Sequence, residues 1–395
     1  MISVEEARKI IRENVQAASP IIMPLAQASN HVLAEDVYAG INMPGFAQSA
    51  MDGYAFRFED YFNHQPIFVN GEMAAGSYSA EGIQPNTAVR IFTGAPVPPN
   101  TDTVVMQEKV CIEENNQLII NDDAILLGAN VRPLGSEIAK NELALPKGTR
   151  LSPAAIGFLA SLGIATVKVL PQPIIHLIVT GNELQVPGTT LLPGHVYESN
   201  SIMLAAALQQ LHFTLAETYF IRDDLSVLTT ALNKSLQVAD IVLLTGGVSA
   251  GDYDFVTMAA QACGVNQLFH KIKQKPGKPM FFGRYNNKLV FGLPGNPSSV
   301  LTCFYEYVLD ALMQYCGIQT RQATMYLPLA NNFSKKSGLT HFLKGRIVNN
   351  EAVPLTAQES YRLSSFAIAD CLIILEENNT FFNRGDNVEV HLLPE

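Results

Sequence analysis

Residues 239–255 read ADIVLLTGGVSAGDYDF, residues 270–280 HKIKQKPGKPM and residues 289–299 LVFGLPGNPSS. The run Ile241, Val242, Leu243, Leu244 has the length and composition of a buried strand. It ends in Thr245, Gly246, Gly247, Val248, Ser249, Ala250 and Gly251, where small residues let the backbone approach a ligand. Asp252 or Asp254 can cap the helix that follows, whose apolar face is Phe255, Met258, Ala259 and Ala262. A strand, a glycine-rich turn and a helix start together make an anion-binding corner. Alone, such a turn is equally well a tight strand-to-helix connection. Two further loops follow closely, Lys275-Pro276-Gly277-Lys278-Pro279 and Gly292-Leu293-Pro294-Gly295-Asn296-Pro297, and the first carries two lysines.

Outward from that stretch, strands and helices alternate over residues 174–318. Strands are expected at 174–179, 216–221, 241–244 and 267–271, and helices at 201–211, 226–236, 254–263 and 297–315. A hairpin turning at Asn286-Asn287 joins strands at 280–283 and 288–291. This is the pattern of a parallel α/β sheet with helices on both faces. In such sheets ligands bind at the carboxyl ends of the strands. Those ends carry Thr180-Gly181-Asn182-Glu183, Arg222-Asp223-Asp224, and residues 245–254, 271–278 and 292–298. If the strands are parallel, all five lie on one rim. Carboxylates there can hold Mg2+, which prefers oxygen ligands and phosphates. Lysines and helix N-termini can hold phosphate or another oxyanion.

The remaining chain divides by character. Ser3 and Glu6 fit a capping box ahead of a helical stripe at Ala7, Ile10, Ile11 and Val15. Residues 40–140 are short apolar runs punctuated by Pro, Gly and Asn, a β-rich module. Three of its loops combine small residues with charge: Met43 to Ala55 with Asp52, Thr93 to Pro98, and Asn130 to Glu137 with Arg132. Each alone also reads as a turn with a solvated charge. Ser152-Pro153 starts a helix that stops at Gly163. Beyond Arg321 short strands return, which implies a small C-terminal β-barrel or β-domain with Arg346 and the run ESYRLSS at 359–365 as its polar points.

Composition narrows the class of function. The chain has 395 residues, 48% of them hydrophobic and 16% charged, so it folds around sizeable cores. A formal net charge of −10 argues against non-specific binding to nucleic acid or anionic membrane. The lysines at 271, 273, 275 and 278 are therefore a local feature. Five cysteines without CxxC spacing imply unpaired thiols in a reducing compartment. No histidine pair has zinc spacing, the N-terminus lacks the pattern of a signal peptide, and no apolar run reaches the length of a membrane span. A soluble cytoplasmic protein is expected.

GGVSAGDYD, KPGKP and GLPGNP, together with SAMDGYA, RIFTGAPVP and TGNEL, resemble the molybdopterin molybdenumtransferases, in the right order from about residue 40 to 300. The related domain of gephyrin is similar too. The resemblance implies insertion of molybdenum from molybdate into adenylylated molybdopterin, with cleavage of the pyrophosphate and release of AMP, and a requirement for Mg2+. It implies an α/β multidomain protein: a three-layer α/β substrate domain of the molybdenum-cofactor-biosynthesis type (1–19 and 171–320), a linking domain (20–39 and 141–170), a β-rich inserted domain (40–140) and a C-terminal β-barrel (321–395). It also implies a homodimer whose active cleft is shared between subunits, with a molybdopterin adenylyltransferase and molybdoenzyme maturation proteins as candidate partners.

By the same resemblance Asp52, Thr93, Glu183, Asp223, Asp254, Lys271 and Lys275 are the catalytic candidates, and Glu183, Asp223 and Asp254 the metal ligands. Arg132, Glu137, Gly246, Gly247, Ser249, Gly251, Lys278, Pro294, Gly295, Asn296, Pro297, Arg346 and Ser365 are the substrate-binding candidates. The chain departs from the family pattern at Asn182 and Glu137, where aspartate is common, and at Glu359-Ser360-Tyr361, where Gly-Ser-His is common. Two other functions fit parts of the chain. The 174–318 domain alone resembles a molybdopterin adenylyltransferase, which would lack residues 40–140 and KPGKP. A gephyrin-like scaffold would need receptor-binding or trimer-forming regions beyond this fold.

Overall fold

The computed structural model describes residues 1–247, 255–318 and 324–394. The chain forms two compact units, one of residues 1–22, 30–32 and 168–395, the other of residues 23–29 and 33–167.

The first unit is built on a six-stranded sheet in the spatial order Leu215–Ile221, Ile175–Thr180, Ile241–Thr245, Lys288–Leu293, Pro279–Tyr285, Asn266–Lys271. The first four strands are parallel. Pro279–Tyr285 is antiparallel to both neighbours, so the sheet is mixed and not all-parallel. The cause is local. Asn286, at φ 53°, and Asn287 make a two-residue turn, and so short a connection can join only antiparallel strands. The edge strand Asn266–Lys271 again runs with the parallel four. Five carboxyl ends, at Thr180, Ile221, Thr245, Lys271 and Leu293, therefore share one rim.

Ile175–Thr180 and Ile241–Thr245 are buried at every residue, as strands covered on both faces must be. One face packs against Val4–Asn14, Asn200–Gln210 and the helix from 297 to 315, the other against Leu225–Val238 and Phe255–Ala262. Ser3 caps the first of these helices by accepting the Glu6 amide at 3.1 Å, worth about 1 kcal/mol. The long helix is not uniform. Its α-helical ends, Pro297–Cys303 and Leu309–Tyr315, enclose the π-helical turn Phe304–Val308. In that turn the buried Glu306 pairs with Arg8 and, at 3.0 Å, with His391 Nδ1, while His391 Nε2 lies 2.7 Å from Glu389. Burial alone would lower the His391 pKa, but the hydrogen bonds to Glu306 and Glu389 overcome it and push it up to about 9.

The C-terminal strands form a second sheet of this unit, in the order Gln274–Lys275, Thr340–Val348, Cys371–Leu375, Asn387–Leu392, Thr324–Pro328, with Glu351–Pro354 beside Thr340–Val348. The first member comes from the KPGKP segment and pairs parallel to Thr340–Val348. One loop of the α/β domain is thus hydrogen-bonded into the C-terminal sheet.

The second unit carries the six-stranded sheet Thr103–Met106, Gly53–Phe56, Thr87–Ile91, Ile67–Met73, Gln117–Ile120, Val110–Ile112, as the punctuated apolar runs predict. Gly53–Phe56 is buried throughout, between one core around Phe56 and Val105 and another around Ala55 and Ile91. Among the described residues no helix is long and apolar enough to cross a membrane.

Candidate active site

At the carboxyl rim of the first unit lies a cleft of about 820 Å³ lined by Glu183, Lys275, Lys278, Pro294, Gly295, Asn296 and Pro297, seven of the residues the motifs single out. Lys275 and Lys278 are exposed at the ends of a turn whose backbone leaves no choice of residue at its centre. Gly277 sits at φ 83°, and a Cβ there would come within 2.6 Å of Cys303 Sγ and 2.9 Å of Gln274 Nε2. Neither lysine has a carboxylate partner among the described residues. Two such ammonium groups in one cleft, on a chain of net charge −10, make a place for an oxyanion.

The opposite wall is the turn Pro294 to Pro297 before the long helix. Asn200 donates to the Gly295 carbonyl at 2.9 Å, and Asn296 donates to Ser360 Oγ at 2.9 Å. Ser360 is held by a buried lysine. Lys344 Nζ donates to the carbonyls of Ala357 (2.9 Å), Arg362 (3.1 Å) and Glu359 (3.4 Å), gathering the loop that brings Ser360 and Tyr361 to the cleft. Burial lowers the Lys344 pKa, against the opposing pull of Glu359.

Along the rim, Thr180 donates to Asp223 Oδ1 and the Asn182 amide donates to Oδ2 at 3.2 Å. These contacts fix the carboxylate at the end of its strand. Its neighbour Asp224 instead caps Leu225–Val238. Gly246, at φ 83°, lies so close to Thr180 that a Cβ would meet the carbonyl oxygen at 2.1 Å. A Cβ on Gly295 would stand 4.0 Å from Gly246 Cα, so the first glycine turn and the GLPGNP turn are neighbours. Gly247, at φ 63°, continues that first turn. Ser249, Gly251 and Asp254 lie outside the described residues.

Glu183 and Asp223 offer the hard oxygen donors that Mg2+ takes. Among the described residues no three His, Cys, Asp or Glu side chains gather into a metal cage. Asp223 Oδ1 and Oδ2 already accept from Thr180 and the Asn182 amide, and each carboxylate oxygen keeps a further lone pair for a cation. Six of the motif residues described in this unit stand apart from the cleft lining: Asp223, Gly246 and Gly247, placed above, and Lys271, Arg346 and Ser365. Lys271 ends the edge strand. Arg346 Nε faces Asp370 at 3.4 Å, and the buried Ser365 donates to the Ala357 carbonyl at 2.8 Å.

The second unit holds its own constellation. Asp52 Oδ1 accepts from both the amide (2.7 Å) and the hydroxyl (2.8 Å) of Thr93. The Thr93 amide bond first, then its hydroxyl, lower the Asp52 pKa below its ordinary value, with Arg90 adding to the effect. Arg90 itself stacks between Tyr54 and Phe92, 5.1 and 5.0 Å from the ring centroids. The third loop joins them. Val131–Arg132 pairs with Gln48–Ser49, the Ala50 amide donates to Asn130 at 2.8 Å, and Gly94 donates to Ser49 at 2.9 Å. Arg132 and Glu137 are exposed on this loop. Three segments that each read as an ordinary turn thus meet in one cluster.

Three family models cover almost the whole chain: the MoeA N-terminal region (domain I and II) over residues 2–163, a probable molybdopterin binding domain over 176–314, and the MoeA C-terminal region (domain IV) over 326–393. A Haemophilus influenzae protein named molybdopterin molybdenumtransferase is 33% identical over 100% of both chains. A Staphylococcus aureus protein of the same name is 31% identical over 99% of this chain and 95% of its own. The chain belongs to the molybdopterin molybdenumtransferase family. A solved molybdopterin biosynthesis MoeA protein from Pyrococcus horikosii, 30% identical, superposes with a TM-score of 0.84 over 99% of each chain, which bears out the multidomain fold of this family.

Several residues of the molybdenumtransferase-family cleft carry no motif. Gln274 and Asn200 line it beside the predicted residues and beside Ser360 and Tyr361 of the ESYRLSS run. For Asn200 a signal exists: the polar run Glu198 to Ser201 opens a helix on the carboxyl rim, where Glu198 accepts the Ser201 amide at 2.8 Å. Gln274 looks like an ordinary surface residue in sequence.

Proposed function

We propose that this chain is a molybdopterin molybdenumtransferase that moves molybdenum from molybdate onto the dithiolene of adenylylated molybdopterin and releases AMP. The observation that carries this reading is the pair of lysines on the Gly277 turn, without a carboxylate partner among the described residues, facing the GLPGNP wall in one cleft. Lys275 and Lys278 hold molybdate, a dianion about the size of sulfate. The amides of Gly246 and Gly247, with Ser249 and Gly251, hold the terminal phosphate of the pterin. Glu183, Asp223 and Asp254 are the residues that would hold Mg2+, which when bound would supply charge neutralisation at the pyrophosphate. Asn296 and Ser360, hydrogen-bonded to each other, close the far wall and orient the substrate. Asp52, held in direction by Thr93, positions the substrate or water, and Arg132 and Glu137 contact substrate from the same cluster. Preorganised charges of this kind supply the electrostatic part of phosphate-transfer catalysis.

In this reading the protein works in the cytoplasm as a homodimer, and Asp52 and Thr93 serve the cleft of the second copy. Its substrate comes from a molybdopterin adenylyltransferase and its product goes to molybdoenzyme maturation proteins. The test is to incubate the protein with adenylylated molybdopterin, molybdate and Mg2+. AMP release that depends on molybdate and matches molybdenum-cofactor formation is expected. AMP release indifferent to molybdate, or adenylation of molybdopterin from ATP instead, would overturn the assignment.

A further inference from the structure

The two lysines of the KPGKP turn are exposed, yet Pro276 and Gly277 between them are buried over a layer of buried polar side chains. Gln274, at 0% exposure, donates through Nε2 to the carbonyls of Pro276 (3.0 Å) and Gly277 (3.2 Å). Its Oε1 accepts the hydroxyl of Tyr307, also at 0% exposure. Tyr307 belongs to the π-helical turn Phe304–Val308, next to Glu306, and π-helical turns recur at functional positions. The Cys303 thiol donates to the Gly277 carbonyl at 3.8 Å from the same helix. We propose that Gln274 and Tyr307 are positioning residues for molybdate: a buried amide–phenol clamp that sets the spacing of Lys275 and Lys278.

The charge pattern supports this assignment. Burial pushes the Cys303 thiol up and the Tyr307 phenol well above its ordinary value, so both stay neutral at working pH. Glu306, the acidic neighbour of Tyr307 in the chain, is paired to Arg8 and His391. The clamp therefore anchors the loop without placing an unpaired anion beside the lysines. A carboxylate could not replace the amide, because both loop carbonyls need a donor. Removing one partner loosens two backbone carbonyls at once, and a shift of an ångström at a charge-binding loop weakens binding of a small anion far more than that of a large, many-contact substrate.

The clamp rests on the reading of residues 275–278 as the molybdate loop, and the test separates the two. Tyr307→Phe keeps the ring and deletes one oxygen. We expect its KM for molybdate to rise about fivefold, with the KM for adenylylated molybdopterin within twofold of the parent. Equilibrium dialysis with molybdate alone should show the same loss. Gln274→Met, which removes both donors, should raise the molybdate KM about tenfold or more. Lys275→Ala is the control for the loop itself. If Lys275→Ala weakens molybdate but Tyr307→Phe leaves it unchanged, or raises both KM values in parallel, the clamp is wrong. If Lys275→Ala leaves molybdate unchanged, the loop assignment fails and the clamp with it. Should Gln274→Met not fold, Tyr307→Phe decides alone.

Discussion

The two units hold charge in opposite ways. In the α/β cleft Lys275 and Lys278 have no carboxylate partner among the described residues, and buried neutral groups fix the backbone that carries them. In the 33–167 unit Asp52 is held by direct hydrogen bonds to its own side chain, both from Thr93. A cation left unpaired on a rigid turn is available for a ligand's charge. An anion already hydrogen-bonded is fixed in ionisation and direction, suited to a role in turnover more than in affinity.

The largest effect expected from this contrast is on Asp52. Asp52→Ala should lower kcat at least about a hundredfold, with the unfolding midpoint within about 3 °C of the parent because the residue is not in a core. Calorimetry beside the AMP-release assay checks both halves, and wild-type turnover would remove Asp52 from the chemistry. Next comes complementation. Mixing the inactive Asp52→Ala chain with Lys275→Ala and refolding or exchanging subunits should restore about a quarter of the parent activity at low molybdate, because half the dimers carry one intact site. No recovery breaks the shared-site reading. Lys275→Ala alone should raise the molybdate KM about tenfold to a hundredfold, the effect of one charge-assisted hydrogen bond. Asp223→Asn removes charge but keeps most of the shape. It should raise the Mg2+ requirement several-fold with little change in molybdate KM; an unaltered magnesium titration would take Asp223 out of the metal site.

The smallest effect is a titration. The Asp52 pKa is depressed, so its ionised form persists as pH falls below the ordinary carboxylate value of 3.8 and is lost only as pH falls through the lower folded value. Thr93→Ala deletes the hydroxyl bond and leaves the amide bond, which is the larger cause. The Asp52 carboxyl, followed by NMR, should move partway back up toward 3.8. An unchanged titration would show that the hydroxyl does not tune it.

Much of the α/β half is legible in the sequence. Buried central strands are unbroken apolar runs ended by glycine turns, and the rule that ligands sit at strand carboxyl ends collects Glu183, Lys275, Lys278 and Pro294 to Pro297 onto one rim. The cluster of Asp52, Thr93 and Arg132 was legible only as three loops of unusual composition. Their meeting depends on pairings such as Val131–Arg132 with Gln48–Ser49, across more than eighty residues of chain, which no local pattern encodes. Two structural details escaped. The helix over 297–315 has a π turn where its apolar spacing reads as uniform α-helix. Arg346 and Ser365, singled out by motif, turn to Asp370 and to the Ala357 carbonyl.

What the sequence determined by itself is the set of elements and the chemistry placed at their ends, because strand burial, helix caps and glycine turns are short-range consequences of residue type. Only the tertiary structure decided how those ends are held. Gln274 reads as one more polar residue among lysines. It becomes the anchor of the KPGKP turn because Tyr307, 33 residues further on, and the strand Thr340–Val348 bury it. A buried amide must find partners for its donors and acceptor, and the nearest unsatisfied groups were the carbonyls of the loop.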